Sequence, residues 1–404
     1  MSEDIKYLLT PTAIRERSNQ ILALAKNDLL NHFSLHEDQI HYLSRALLEE
    51  IHQNYPERNI PYHSRWRHFS VDGSNRIDRL NSSLEGLSSM EACMAKLELS
   101  IISVLLDAGA GNSWNYIDKA TGKTFARSEG LAIASLNGFA SGAFGERPFT
   151  ASADSLRAIS VESLEQIFQA TSSNPLAGVD GRAALMNTLG ECARRMPCVL
   201  PSTTPRLGNI LGEILEQTTE NILDAEDLLA IVLTAFGSIW PGRLLVDGVA
   251  LGDVWKHSQV RGEGKTDKLV PFHKLSQWLT YSLLEPLESF GIQIVGLEKL
   301  TGLAEYRNGG LFIDAGVIAL RESDSYRIEH SPSSELIVEW RALTIALLDR
   351  LASQLRADLG VSTEEMPLAK ILQGGTWSLG RKFANRARTD GSPPLAIKSD
   401  GTVF

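Results

Sequence analysis

A chain of 404 residues carries 39 basic and 49 acidic side chains, a formal net charge of −10, with 43% hydrophobic residues. That length allows two or three domains, or one large one, with a sizeable core; the acidic balance, without any Lys/Arg run interleaved with aromatics, excludes a general nucleic-acid binder and leaves a single nucleoside or nucleotide open as ligand. Scattered Cys93, Cys192 and Cys198 form no CxxC pair and fit a reduced interior, and the charged start MSEDIKYLLTPTAIRERS and the absence of any long apolar run lead us to expect a cytoplasmic protein with no membrane partner.

Along the chain, Thr12 to about His52 reads as helical, with Pro11 suited to a first turn and a second helix from Gln39 to Tyr55 that ends at Pro56. The stretch 61–72, PYHSRWRHFSVD, reads as an irregular loop. Its Arg65 and His68 line a pocket on one reading, and on the other an Arg and a Trp pack by cation–π contact. LELSIISVLL, 97–106, is a buried element by pattern and delivers Asp107 at its end, followed by a glycine-rich turn with Asn112 and Trp114. Asp107 is either a site carboxylate at the mouth of that element or a turn-forming Asp.

Ser128 and Glu129 open a helix of small residues, which implies close packing. The middle, Ser155 to Thr219, alternates helices and turns. Leu244 to Trp255 reads as a hairpin turning at Asp247-Gly248. Pro271 to Ile294 reads as a helix with His273, Lys274, Gln277 and Tyr281 on one side. SPSSELIVEWRALTIALLDRLASQLR is the clearest amphipathic helix, with Ser333 as its cap and Ile337, Trp340, Thr344, Leu347 and Leu351 on its apolar face. Composition beyond Gly374 suggests a surface tail. The expected organisation is an N-terminal helical segment over 1–95, a helical core over 96–372 and a tail over 373–404, as one compact unit or two lobes.

Chemistry concentrates in Leu300 to Leu320, where Glu305, Tyr306, Arg307 and Asn308 stand consecutively before Gly309-Gly310. The bland alternative is a salt-bridged helix end, with Arg307 and Asp314 as an internal ion pair. No GxGxxG, P-loop or GxSxG motif is present. The nine histidines are dispersed, so a metal site would need tertiary assembly, for example from His68, His257 and His273. No metal and no cofactor are expected. What remains is carboxylate chemistry: Glu305 and Asp107 each follow apolar residues, and burial would raise either pKa. Two carboxylates in unlike surroundings supply the division of labour needed to cleave a glycosidic bond, one acting at the oxocarbenium-like centre or on water and one on the leaving group. Trp114 and Tyr306 would stack on a planar ligand. Whether the two carboxylates meet is open at this point.

Five segments, LLDAGAGNSW, RSEGLAIASL, NPLAGVDGRAALM, VPFHKLSQWLTYSLLEPLE and LTGLAEYRNGGLFIDAGV, resemble the uracil-catabolism family of the ring-opening, uridine-phosphate-dependent route. A weaker resemblance, in the order of segments, is to the queuosine-salvage nucleoside hydrolases, helical proteins related in fold to DNA glycosylases. It implies a mainly α, DNA-glycosylase-like architecture with a small β-hairpin. It also implies that Glu305, matching the acid of an Asp-Tyr-Arg motif, is the catalytic carboxylate, with Asp107 contacting substrate. Here the motif acid is Glu, and Asn308-Gly309-Gly310 replaces a Val-Pro-Gln continuation, which points to a different substrate.

In the ring-opening route urea must be freed from ribose, so the resemblance implies an N-glycoside hydrolase acting on ribosylurea or its phosphate. Tyr306, Arg307, Asn308, Asn112, Trp114, Glu129, His273, Lys274, Gln277, Arg65 and His68 are the candidate substrate-binding residues, with Lys274, Arg307 or Arg65 for a phosphate. Two other classes stay open: an amidohydrolase or deaminase acting on the ureido group, which would release ammonia, and a non-catalytic partner that holds an intermediate for the ring-opening enzyme.

Overall fold

The computed structural model describes residues 2–111, 113–200, 204–240 and 244–398. The helices that carry the residues of interest are, in chain order, α1 (Pro11–Lys26), α2 (Gln39–Asn54), α3 (Ser89–Leu105), α4 (Arg127–Ala140), α5 (Val179–Arg195), α6 (Lys274–Phe290), α7 (Tyr306–Asp314), α8 (Glu335–Leu359) and α9 (Trp377–Ala387). Strands among the described residues are short and occur only as two-stranded pairs. The fold is therefore mainly α, as the periodicity indicates. The chain forms two contact units. One contains residues 2–63, 244–277 and 296–398, and the other contains 64–240 and 278–295. Helix α6 contributes its first turn to the first unit and the remainder to the second.

In the first unit, α8 is the organising element. Ser334 caps it by accepting the Ile337 N–H, one residue after the serine that spacing suggests, and Gly360 ends it in the left-handed region. The expected apolar face is buried, but so is every other side from Leu336 to Leu348, including Glu339 and Arg341. A helix enclosed all round belongs to the interior of its unit, and charges on it need partners. α1, α2 and α7 pack against α8, and α9 packs against α7.

The helical pattern read over 12–52 is broken by the strand Phe33–Leu35, which pairs antiparallel with Ile318–Leu320. Asp247-Gly248 does form the hairpin turn, with φ of 51° and 77°, between Leu245–Val246 and Val249–Ala250; both central residues need positive φ in such a turn. The Gly-Ser-Arg composition beyond Gly374 belongs to a π turn over Leu372–Thr376 and to α9, whose Leu379, Gly380 and Ala384 are buried.

In the second unit, Ser88 and Glu91 form a reciprocal capping box at the start of α3, whose last three turns are almost wholly buried. α4 packs on α3, and both meet a 3-10 helix, Arg65–Ser70. The stretch expected to be irregular is thus ordered, and it points Arg65 and Trp66 inward. Among the described residues no helix is long and apolar enough to cross a membrane.

Candidate active site

Glu305 lies immediately before α7 and is its N-cap. Its two carboxylate oxygens accept the N–H of Arg307 at 2.7 Å and of Asn308 at 2.6 Å. Those donors are orphaned at any helix start, and the helix dipole favours an anion there. The residue is half-buried at its edge, yet protein surrounds the carboxylate closely enough that desolvation raises its pKa. The two backbone donors and the charges of Lys274 and Arg307 oppose that rise without cancelling it. The helix-end reading and the chemical reading thus describe one residue. Glu305 is a cap, and it is also a carboxylate more basic than one in water.

The frame around Glu305 is built from charges. Arg341 on α8 grips Asp253 through Nη1 to Oδ1 at 2.7 Å and Nη2 to Oδ2 at 2.8 Å, lies over the Phe272 ring, and donates from Nε to the Ala304 carbonyl at 3.2 Å. Asp253 also accepts the Trp255 indole N–H at 2.6 Å and the Lys274 backbone N–H at 3.0 Å. Burial pushes the Asp253 pKa up, but Arg341 and these donors outweigh it and hold the carboxyl well below the usual carboxylate range. One guanidinium therefore ties the start of α6 to the chain entering Glu305.

Among the other candidates of this unit, Tyr306 presents an exposed ring to Arg307, whose guanidinium sits 5.2 Å from the ring centroid. Arg307 donates to the Gly391 carbonyl, and Asp314 pairs with Arg388, which sets aside the alternative of an Arg307–Asp314 ion pair. Asn308 accepts from Thr376 Oγ1 at 3.0 Å and donates to the Leu303 carbonyl, an internal engagement that ties α7 to the π turn. His273 precedes α6 with a φ of 46°; its Nε2 meets the Leu8 carbonyl, and burial lowers its pKa. Gln277 donates to Thr301 Oγ1 at 2.6 Å while its Oε1 is buried without a hydrogen-bond partner, as is the Trp340 Nε1 beside Gly309. Buried polar atoms of this kind are usually satisfied.

The second unit holds Asp107, just past α3. Arg65 Nη1 donates to Asp107 Oδ2 at 2.7 Å, Arg65 Nε to Ser103 Oγ at 2.6 Å, and the Ser128 hydroxyl to the same Asp107 oxygen. Arg65 lies over the Trp278 ring, which His68 meets edge-on. Its Nη2 has no hydrogen-bond partner, and desolvation lowers its pKa against the opposing charges of Asp107 and Glu129. Glu129 is thus brought to the Arg65 group. Trp114 is not available for stacking: it is buried, with its indole N–H on the Phe168 carbonyl. Asn112 lies outside the described residues.

Sequence reasoning passed over three residues that build these groups, namely Asp253, Arg341 and Arg182. Arg182 on α5 donates to the carbonyls of Leu106, Ala108 and Gly109 and so fixes the turn carrying Asp107; burial lowers its pKa to about 10. The available signal for Arg341 was a charge set among the apolar residues Trp340, Ala342 and Leu343, whereas Arg182, in the first turn of a helix of mixed polarity, gave none.

A mainly helical protein with a desolvated glutamate capping a helix, set in a frame of buried guanidinium–carboxylate contacts, is the class that these features define. A family model described as "Protein of unknown function (DUF1688)" matches residues 7–404, and the chain belongs to that family. It is 40% identical over 418 residues to "Protein urg3" of Schizosaccharomyces pombe, covering 100% of both chains. To "Uracil catabolism protein 4" of Lachancea kluyveri it is 34% identical over 439 residues, covering 99% of each. The family resemblance carried by the five sequence segments is thereby borne out.

Proposed function

We propose that this chain acts in uracil catabolism as an N-glycoside hydrolase that cleaves the C1′–N bond of ribosylurea, or of a related ring-opened pyrimidine nucleoside or its phosphate, and releases urea. The observation that carries this reading is Glu305, a carboxylate whose pKa burial raises, held in fixed orientation by two backbone N–H groups with the charge of Lys274 nearby. In the proposed reaction the ureido nitrogen leaves with the bonding pair and takes up a proton. Water adds to the oxocarbenium-like C1′ and gives up a proton. A basic carboxylate placed at C1′ either balances the developing positive charge or accepts the proton from water.

Tyr306 is proposed to bind beside it, and Lys274 to meet the phosphate of a phosphorylated substrate. The Asp107–Arg65–Ser128 group is proposed as a ligand-binding locus. It is assigned no proton transfer, because its carboxylate is paired directly with the buried Arg65 guanidinium. The full-length relative named for uracil catabolism supports the pathway. The test is to incubate the pure chain with ribosylurea and quantify urea and ribose. Urea release that disappears in Glu305→Gln supports the reading; a Glu305→Gln variant as active as the wild type refutes the role of Glu305.

A further inference from the structure

Glu335 and Glu339 stand one turn apart on the first two turns of α8, and both turn toward His32, which precedes the strand Phe33–Leu35. A nitrogen of His32 and one carboxylate oxygen from each glutamate all lie within 4.8 Å of one another. Glu339 is fully buried. The other buried acids among the described residues each meet a full positive charge: Glu50 meets Lys382, Glu98 meets Arg206, Asp118 meets Arg76 and Asp253 meets Arg341. Glu339 meets instead the His32 backbone N–H at 3.2 Å and His257 Nε2 at 3.3 Å.

The His257 ring is held at both nitrogens: Nδ1 lies 3.2 Å from the Gln259 backbone nitrogen, and Nε2 faces Glu339. The Glu335 carboxylate also comes within 3.9 Å of that nitrogen and is fixed by the Ser258 N–H at 3.0 Å and hydroxyl at 2.8 Å. Two carboxylates from successive turns of α8 thus converge with the His32 imidazole on one point, Glu339 oriented by the His32 N–H and His257, and Glu335 by Ser258.

We propose that His32, Glu335 and Glu339 bind a divalent transition-metal ion of the Zn²⁺ or Mn²⁺ type through one imidazole nitrogen and two carboxylates. The donors suit that class, since imidazole selects against Mg²⁺ and Ca²⁺, and ligand distances of about 2.0–2.2 Å bring three such atoms to one ion after small side-chain adjustments. His257, Ser258 and the His32 N–H form the outer contacts that orient coordinating carboxylates. The ion would tie residue 32, the 257–258 loop and the start of α8 together, leaving further coordination positions for water. Arg341, two residues beyond Glu339, holds the chain at Glu305, so the ion would also steady that frame. This inference does not depend on the proposed glycosidase activity.

The test is calorimetric titration of chelator-treated full-length protein with Zn²⁺, Mn²⁺ and Mg²⁺, for wild type, His32→Ala and Glu335→Gln, with circular dichroism confirming that each variant folds. The expected result is one Zn²⁺ or Mn²⁺ per chain, weakened at least tenfold in both variants, with a rise in melting temperature on Zn²⁺ addition that His32→Ala abolishes. Absence of binding, or binding unchanged in the two variants, as when Zn²⁺ sits on the exposed Cys198, would overturn the proposal. Mg²⁺ bound as tightly as Zn²⁺ would overturn the nitrogen-ligated assignment.

Discussion

Arg341 and Asp253 form a two-pronged buried ion pair, with both Nη atoms within 2.8 Å of a carboxylate oxygen, and the remaining guanidinium nitrogen of Arg341 reaches the carbonyl of the residue preceding Glu305. A single side chain therefore sets both a stability contact and the approach of the chain to the candidate catalytic carboxylate. Removing one partner of such a pair leaves an uncompensated buried charge and costs about 3–5 kcal/mol. Arg341→Met should lower the unfolding free energy by that amount in urea denaturation, and the double variant Arg341→Met/Asp253→Asn should recover part of it.

The two carboxylates of this frame respond to pH with opposite signs. Asp253 has a folded pKa held below its unfolded value, so its contribution to stability is fully present above the ordinary Asp range and is lost as pH falls toward the folded pKa. Denaturation curves of wild type and Asp253→Asn should converge as the medium is made acid. Glu305 has a folded pKa raised above the ordinary 4.5. Its contribution to stability is greatest below that value and is lost as pH rises through the folded pKa. If the ionised carboxylate does the chemistry, the pH–activity profile should show an ascending limb above 4.5, absent from the residual activity of Glu305→Gln.

A Cβ added at Gly309 would fall 2.7 Å from Trp340 Cε2 and 2.8 Å from Thr344 Oγ1. Neither neighbour is free to move, since both lie on the enclosed face of α8. Gly309→Ala should therefore destabilise by about 1–3 kcal/mol through overpacking and shift the indole emission of Trp340. Thermal unfolding monitored by tryptophan fluorescence checks both.

In the second unit, Asp107→Asn removes the charge that Arg65 faces while preserving shape. The buried guanidinium would then retain Glu129 and hydroxyl partners but no direct ion pair, a loss of roughly 2–3 kcal/mol against the 3–5 kcal/mol expected of Arg65→Met. Equal destabilisation by the two substitutions, measured in urea, would contradict this ordering.

What sequence made legible was local. Pro11 and the Asp247-Gly248 turn are each read by the backbone within four residues and stand where the sequence puts them, while the cap of α8 falls on Ser334, one residue past the expected Ser333, and the Ser88–Glu91 box went unread. The strand Phe33–Leu35 was hidden because its partner is Ile318–Leu320, far along the chain. Arg341 and Asp253 are 88 residues apart and Arg182 and Gly109 73, and no spacing rule announces a guanidinium clamp. Glu305 was found as a chemical candidate, while its cap geometry needed the helix boundary. His32 and His36 do stand at HxxxH spacing, but the intervening residues are a strand. The histidine that meets Glu339 is thus partnered through tertiary structure instead of helical register.

The measurement that bears most directly on the central claim is product analysis with ribosylurea as substrate, comparing wild type, Glu305→Gln and Glu305→Asp. The account predicts free urea and ribose in equal amounts from the wild type, a loss of at least a hundredfold in Glu305→Gln with the fold retained, and partial activity in Glu305→Asp. Ammonia in place of urea, or urea release undiminished in Glu305→Gln, would contradict it.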